Sequence, residues 1–131
     1  MIENLDPKQT FAFMQANPNA VMIDVRTKME HLFVGHPNCT LIHIAWKEFP
    51  DWQINTNFVA QVERFIEDKN TPLLLLCRSG VRSLDAAKAL EDAGYTQLIN
   101  ILEGFEGNLD ERKHRGTTGG WRFHGLPWMQ A

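Results

Sequence analysis

The stretch Leu73-Leu74-Leu75-Leu76-Cys77-Arg78-Ser79-Gly80-Val81-Arg82-Ser83 decides how the rest of the chain is read. Leucines in succession after Pro72, with no polar alternation, suit a parallel strand covered on both faces. Leu84, Ala87 and Leu90 then fall on one side of a helix predicted over 83–93 and stopped by Gly94. In open parallel sheets ligands bind beyond the carboxyl ends of the strands, and Cys77 sits at such an end. Gly80 tolerates the dihedrals that a sharp strand-to-helix turn demands. Converging backbone amides in such a turn make an anion-binding nest, and the helix N-terminus adds its positive dipole end. Arg78 and Arg82 bring two permanent charges. Each feature favours a thiolate over a thiol. The same cradle suits an oxyanion or the anionic outer sulfur of a persulfide. A small buried hydrophobe ending a strand is the plainer reading of Cys77, but the flanking arginines and glycine have no packing role to match it.

Upstream, Asp6 can cap a helix that begins at Pro7, shows Phe11, Phe13 and Met14 to the core, and stops at Asn17-Pro18-Asn19. Residues 20–25 and 41–44 read as strands. A helix is predicted over 57–68 from Phe58, Val62, Phe65 and Ile66, with Asn55 or Thr56 as its cap. Residues 98–102 form the last predicted strand. Helices alternating with strands indicate an α/β domain with a mostly parallel sheet. The charge-dense segment 106–115 reads as a solvated helix face. The glycine-rich tail from Arg115 reads as irregular chain packed by Trp121 and Trp128, with Trp packing at the surface preferred over a place at a pocket mouth.

With 131 residues and no repeat, linker or low-complexity tract, the chain reads as a single domain over 1–131. A 44% hydrophobic content with 22% charged residues excludes a disordered or collagen-like chain. Lys and Arg number 13 against 16 Asp and Glu, and a net charge of −3 argues against a general nucleic-acid binder. Two cysteines, Cys39 and Cys77, are too few for a disulfide scaffold, and neither lies in a zinc-binding spacing, so no metal is expected. The first six residues lack a secretory pattern and no apolar run approaches a membrane span. These features predict a cytoplasmic protein with reduced thiols and no membrane partner.

Three separated motifs resemble the rhodanese-like sulfurtransferases. Cys77-Arg78-Ser79-Gly80-Val81-Arg82-Ser83 is similar to the family's active-site loop. Ile23-Asp24-Val25-Arg26, then Glu30, then Gly35-His36, resembles its first signature. Gly94-Tyr95, Leu102-Glu103-Gly104-Phe105 and Gly125-Leu126-Pro127-Trp128 resemble its closing segments. The resemblance runs from about residue 5 to 128. It implies a central, mostly parallel five-stranded sheet flanked by helices on both faces. The fifth strand, which the residue pattern does not supply, is expected near 1–5 or 94–98. The resemblance also implies sulfur transfer in two steps through a Cys77 persulfide, with no separate cofactor. Donor and acceptor would be a small anionic sulfur compound such as thiosulfate and a thiol or cyanide, with a protein acceptor also open. Arg78, Ser79, Gly80, Val81, Arg82 and Ser83 would bind substrate.

Phosphatases and arsenate reductases of this fold carry a loop one residue longer. The shorter Cys-x4-Arg loop here favours a single sulfur atom over a tetrahedral anion, with those enzymes and a non-catalytic binding module as the alternatives. Asp24 and Arg26 are expected to anchor a strand end rather than touch substrate. Glu30 either pairs with Arg82 and holds the loop or is a solvated acid. Cys39 is expected to be buried and inert, a resolving thiol being the alternative. His31, His36 and His43 are expected to serve turn hydrogen bonding. The spacing from Glu30 to Gly35 is one residue longer than the common family pattern, and Asn38-Cys39 and Ala45 replace its usual Gly-Ala and proline.

Overall fold

The computed structural model describes residues 1–130. Its centre is a sheet of five strands: β1 (Ile2–Leu5), β2 (Val21–Asp24), β4 (Leu41–His43), β7 (Leu73–Leu76) and β8 (Leu98–Ile101). They lie in the order β1-β8-β7-β2-β4 and every pairing is parallel. The fifth strand is thus the N-terminal edge strand β1, while residues 94–97 form only turn and coil leading into β8.

Helix α1 (Pro7–Ala16) starts where Asp6 accepts the Gln9 amide, and Gln9 returns the bond to the Asp6 amide, a reciprocal capping box. Helices α2 (Phe58–Phe65) and α3 (Val81–Asp92) cover one face of the sheet. There Phe58, Val62, Ala86, Ala87 and Leu90 pack with Ile23, Leu73 and Leu75. On the other face α1 contributes Phe11, Phe13 and Met14 to a cluster with Met22, Leu74, Leu76, Phe105 and Trp121. The leucines of β7 therefore divide by alternation, and all four are fully buried.

Short strands β3 (His36–Pro37) and β9 (Trp128–Met129) pair antiparallel, and β5 (Lys47–Glu48) pairs with β6 (Gln53–Ile54) in a hairpin. Two-residue strands leave no periodicity to read.

Four sequence expectations are corrected. Helix α2 ends at Phe65 rather than 68, since Ile66 is extended and its carbonyl accepts the Tyr95 hydroxyl at 2.6 Å. The N-cap of α2 is Asn57, and Asn55 instead accepts the Asn57 amide in the preceding turn. Residues 106–115 are turn and coil, not helix. Asp110 draws the amides of Arg112 and His114 and the Thr117 hydroxyl onto its carboxylate, in competition with helical bonding. Trp121 is wholly buried against Phe11, with its ring N–H donating to the Pro127 carbonyl, so it is core rather than a surface seal.

From β2 the chain continues to β4 on one side, and from β7 to β8 on the other. The crevice between the carboxyl ends of β2 and β7 is the switch point of the sheet. Asp24 lies opposite Leu76 in register, so Cys77 emerges at that crevice.

Candidate active site

Cys77 is 1% exposed, and its sulfur receives the Gly80 amide at 3.0 Å. Gly80 is the N-cap of α3 and has φ +111°, a left-handed conformation that turns the chain back toward the sulfur at low steric cost. Helix α3 starts at Val81, two residues earlier than its apolar spacing suggests, so Arg82 and Ser83 lie in its first turn. Amides of that turn have no intrahelical acceptor, and they carry the positive end of the helix dipole.

Below the sulfur runs a polar chain. The Ser83 hydroxyl lies 3.2 Å from Cys77 Sγ and donates to Asn100 Oδ1 at 2.5 Å. Asn100 Nδ2 donates to Asn4 Oδ1 at 3.0 Å and to the Gly80 carbonyl at 3.3 Å. That carbonyl can only accept, which fixes the amide orientation: Asn100 must turn its oxygen toward Ser83. With its single proton on Asn100, Ser83 presents a lone pair to Cys77. Neither asparagine is singled out by motif. Asn100 could have been flagged as the polar member of the otherwise apolar strand Leu98-Ile99-Asn100-Ile101, all of it buried.

Arg82 makes a two-pronged ion pair with Glu30, both contacts at 2.8 Å. Glu30 also accepts from the amide and hydroxyl of Thr27. Burial raises the Glu30 carboxyl, but the Arg82 hydrogen bonds and charge outweigh it and hold the carboxyl below its usual range. Glu30 opens a π-helical turn, Glu30–Val34, closed by the Gly35 amide on the Glu30 carbonyl. A π turn inserts one residue into helical chain, which accommodates the longer spacing before Gly35.

Asp24 and Arg26 are both 0% exposed and make a fork-to-fork pair, with Arg26 also donating to the Gly35 carbonyl at 2.6 Å. Burial raises the Asp24 carboxyl, yet hydrogen bonds from His31 and Arg26 hold it well below the ordinary carboxylate range. His31 stacks between His36 and His43, with ring centroids at 4.3 and 4.6 Å. His36 and His43 each donate to a backbone carbonyl, of Pro37 and Arg26 respectively. Spacing does not reveal this three-ring stack, because the imidazoles come from three separate segments.

The segment 102–106 braces the loop from beneath. Phe105 and Glu106 amides donate to the Cys77 and Arg78 carbonyls. Gly104 has φ +60°, and a Cβ there would meet the Cys77 carbonyl oxygen at 2.4 Å. Cys39 packs on the opposite face of the sheet from Cys77, and burial pushes its thiol up to about 11.

Above the sulfur is a cleft of about 470 Å³ lined by Lys47, Trp52, Cys77, Arg78, Ser79, Val81 and Arg82. Arg78 and Val81 stand exposed at its rim, and Trp52 lies under the Arg82 guanidinium at 5.7 Å. Ser83 is buried beneath the loop rather than lining the cleft. Lys47 and Trp52, from the β5–β6 hairpin, are contributors that the sequence motifs do not mark.

The model of the rhodanese-like domain family matches residues 8–110. The chain belongs to that family. It is 40% identical to Rv0390 from M. tuberculosis, whose crystal structure it matches with a TM-score of 0.89 over 98% of both chains. It is 34% identical over 132 residues to an uncharacterized protein of Rickettsia rickettsii, covering 98% of each. The thiosulfate sulfurtransferase GlpE of Haemophilus influenzae is 26% identical over 105 residues, 80% of this chain and 86% of that protein. In this rhodanese-like domain the first signature supplies the Asp24–Arg26 anchor and Glu30, the loop supplies Cys77, and the closing segment supplies the Gly104 brace. No helix among the described residues is long and apolar enough to cross a membrane.

Proposed function

We propose that this rhodanese-like domain transfers a sulfane sulfur from a small anionic donor such as thiosulfate to a thiol or cyanide, through a persulfide on Cys77. The observation that carries this reading is the Cys77 sulfur at the floor of a cationic cleft, held 3.0 Å from the amide that begins helix α3. Cys77 thiolate attacks the outer sulfur of thiosulfate. The S–S bond of the donor breaks, sulfite leaves with the electron pair, and Cys77–S–S⁻ remains. Cyanide then attacks the outer sulfur, forms thiocyanate and returns the thiolate. No general base is needed. The chain's contribution is electrostatic, through the Gly80 amide, the dipole of α3 and the guanidinium of Arg78.

The family contains sulfurtransferases, GlpE among them, which supports the reading. The loop and the Arg82–Glu30 pair speak against phosphatase or arsenate reductase chemistry. Arg82 gives one N–H from each Nη to Glu30, and the carboxylate offsets its charge where a tetrahedral dianion would need it. An attacking thiolate suits a reducing compartment such as the cytoplasm.

The test is mass spectrometry after incubation with thiosulfate, with thiocyanate measured on adding cyanide. One added sulfur on Cys77, absent in Cys77→Ser, supports the proposal. No retained sulfur together with no thiocyanate overturns it, and turnover of an aryl phosphate lost in Cys77→Ser would replace it with the phosphatase reading.

A further inference from the structure

A second pocket of about 500 Å³ opens beside the Cys77 cleft and shares Trp52 and Arg78 with it. Its apolar wall is made by Met29, Val34, Phe49 and Trp52, of which Met29 is 57% exposed and Phe49 65%. Large apolar side chains left in water around one concavity mark a binding surface, and the volume suits a small molecule. The charged groups on the same pocket are unevenly committed. Glu30 is spent on Arg82. Arg78 and Arg115 make no ion pair among the described residues, and Arg115 is anchored by one Nη1 bond to the Gly107 carbonyl at 2.7 Å. Glu106 is the remaining acid, also without an ion pair. Two free guanidiniums against one free carboxylate leave a net positive charge.

We propose that this pocket is the acceptor subsite, and that it takes a small organic thiol whose apolar stem ends in a single carboxylate. The inference rests on the sulfur-transfer reading and names the acceptor class for it. The stem would lie on Met29, Phe49 and Trp52, and the carboxylate would meet the Arg115 guanidinium, which lines this pocket alone. The thiol end would point past Trp52 and Arg78 into the Cys77 cleft. Glu106 would repel a second carboxylate, so the pocket selects a monoanion. A compact inorganic donor needs none of this surface. In the transfer step the acceptor thiol passes its proton to Cys77–S–S⁻, and the resulting thiolate attacks the outer sulfur of Cys77–S–SH. The bond to Cys77 Sγ breaks and its electron pair returns to Cys77 as thiolate. The new S–S bond gives R–S–SH, the proton staying on the transferred sulfur, so no oxidant or reductant is consumed.

The experiment loads the protein with thiosulfate and follows single-turnover discharge of the persulfide by mercaptohexanoate, by mercaptohexanol and by cyanide. A charge-assisted contact predicts half-saturation by mercaptohexanoate at about tenfold lower concentration than by mercaptohexanol. Met29→Glu, at an exposed position, should erase or reverse that preference, and Arg115→Met should weaken it, both judged as a ratio to cyanide discharge. Equal saturation by the two thiols, or a preference that survives Met29→Glu, overturns the acceptor site while leaving sulfur transfer standing. Failure of thiosulfate to load Cys77 overturns both.

Discussion

The Ser83 hydroxyl and Asn100 Oδ1 are 2.5 Å apart, and this bond turns the serine proton away from Cys77. Loss of the Asn100 oxygen would free Ser83 to donate to the sulfur and stabilise the thiolate. Asn100→Leu is expected to raise the rate of iodoacetamide alkylation of Cys77 several-fold at neutral pH, while Asn100→Asp, which buries a negative charge beside the sulfur, lowers it. A purely structural role would move both variants the same way. Asn100→Leu should also cost about 1–3 kcal/mol, since it strips a donor from the Asn4 side chain and the Gly80 carbonyl.

Gly104 admits no side chain. An alanine would place its Cβ 2.4 Å from the Cys77 carbonyl oxygen and 2.5 Å from the Arg78 carbonyl carbon, at a φ of +60°. Gly104→Ala is expected to destabilise the fold by about 2–4 kcal/mol in urea titrations, combining overpacking with left-handed strain. It should also slow Cys77 alkylation, because the loop itself has to shift.

The Arg82–Glu30 pair carries a pH dependence. Its folded carboxyl lies below the ordinary value, so the stabilisation is complete above the unfolded value of about 4.3 and is lost as pH falls through the folded value. Stability of the native protein should therefore decline below about pH 4.3, whereas the Glu30→Gln variant should decline less over that interval. Both side chains are 16% exposed, and at neutral pH Glu30→Gln should cost about 1–2 kcal/mol by denaturant titration.

Cys39 should be silent. With its thiol pushed up to about 11, it keeps its proton through neutral pH and above. Iodoacetamide at pH 7.5 is expected to label Cys77 alone, read by peptide mass spectrometry, and Cys39→Ala should leave persulfide formation intact.

Asp24→Asn should be among the most damaging substitutions outside the loop. It strands Arg26, which is 0% exposed and held by that carboxylate, at a cost of about 3–5 kcal/mol. Thermal unfolding measures it. Arg26 also sits over the Phe105 ring at 4.6 Å and holds the Gly35 carbonyl, so the loss should spread to the turn that begins at Glu30.

Much of this architecture is local and hence legible in the chain. The Asp6 cap, the unbroken leucines of β7 and the glycine at the strand-to-helix turn each signal their own geometry through neighbours in sequence. So does the placement of Cys77 at a strand end before a helix. Residues 106–115 misled because charge density resembles a helix face, whereas the Asp110 carboxylate competes for the backbone amides.

What the sequence by itself determined is the α/β order of elements and the cationic cysteine loop, since both depend on short-range patterning. What only the tertiary structure decided is how that cysteine is held and approached. Asn4 and Asn100 come from strands β1 and β8, Glu30 from a π turn, and Trp52 and Lys47 from a small hairpin. Parallel pairing brings the first two within 3.0 Å although 96 positions separate them. A hydrogen bond across that separation leaves no period or spacing in the chain, because the sheet, not the backbone between them, sets the distance.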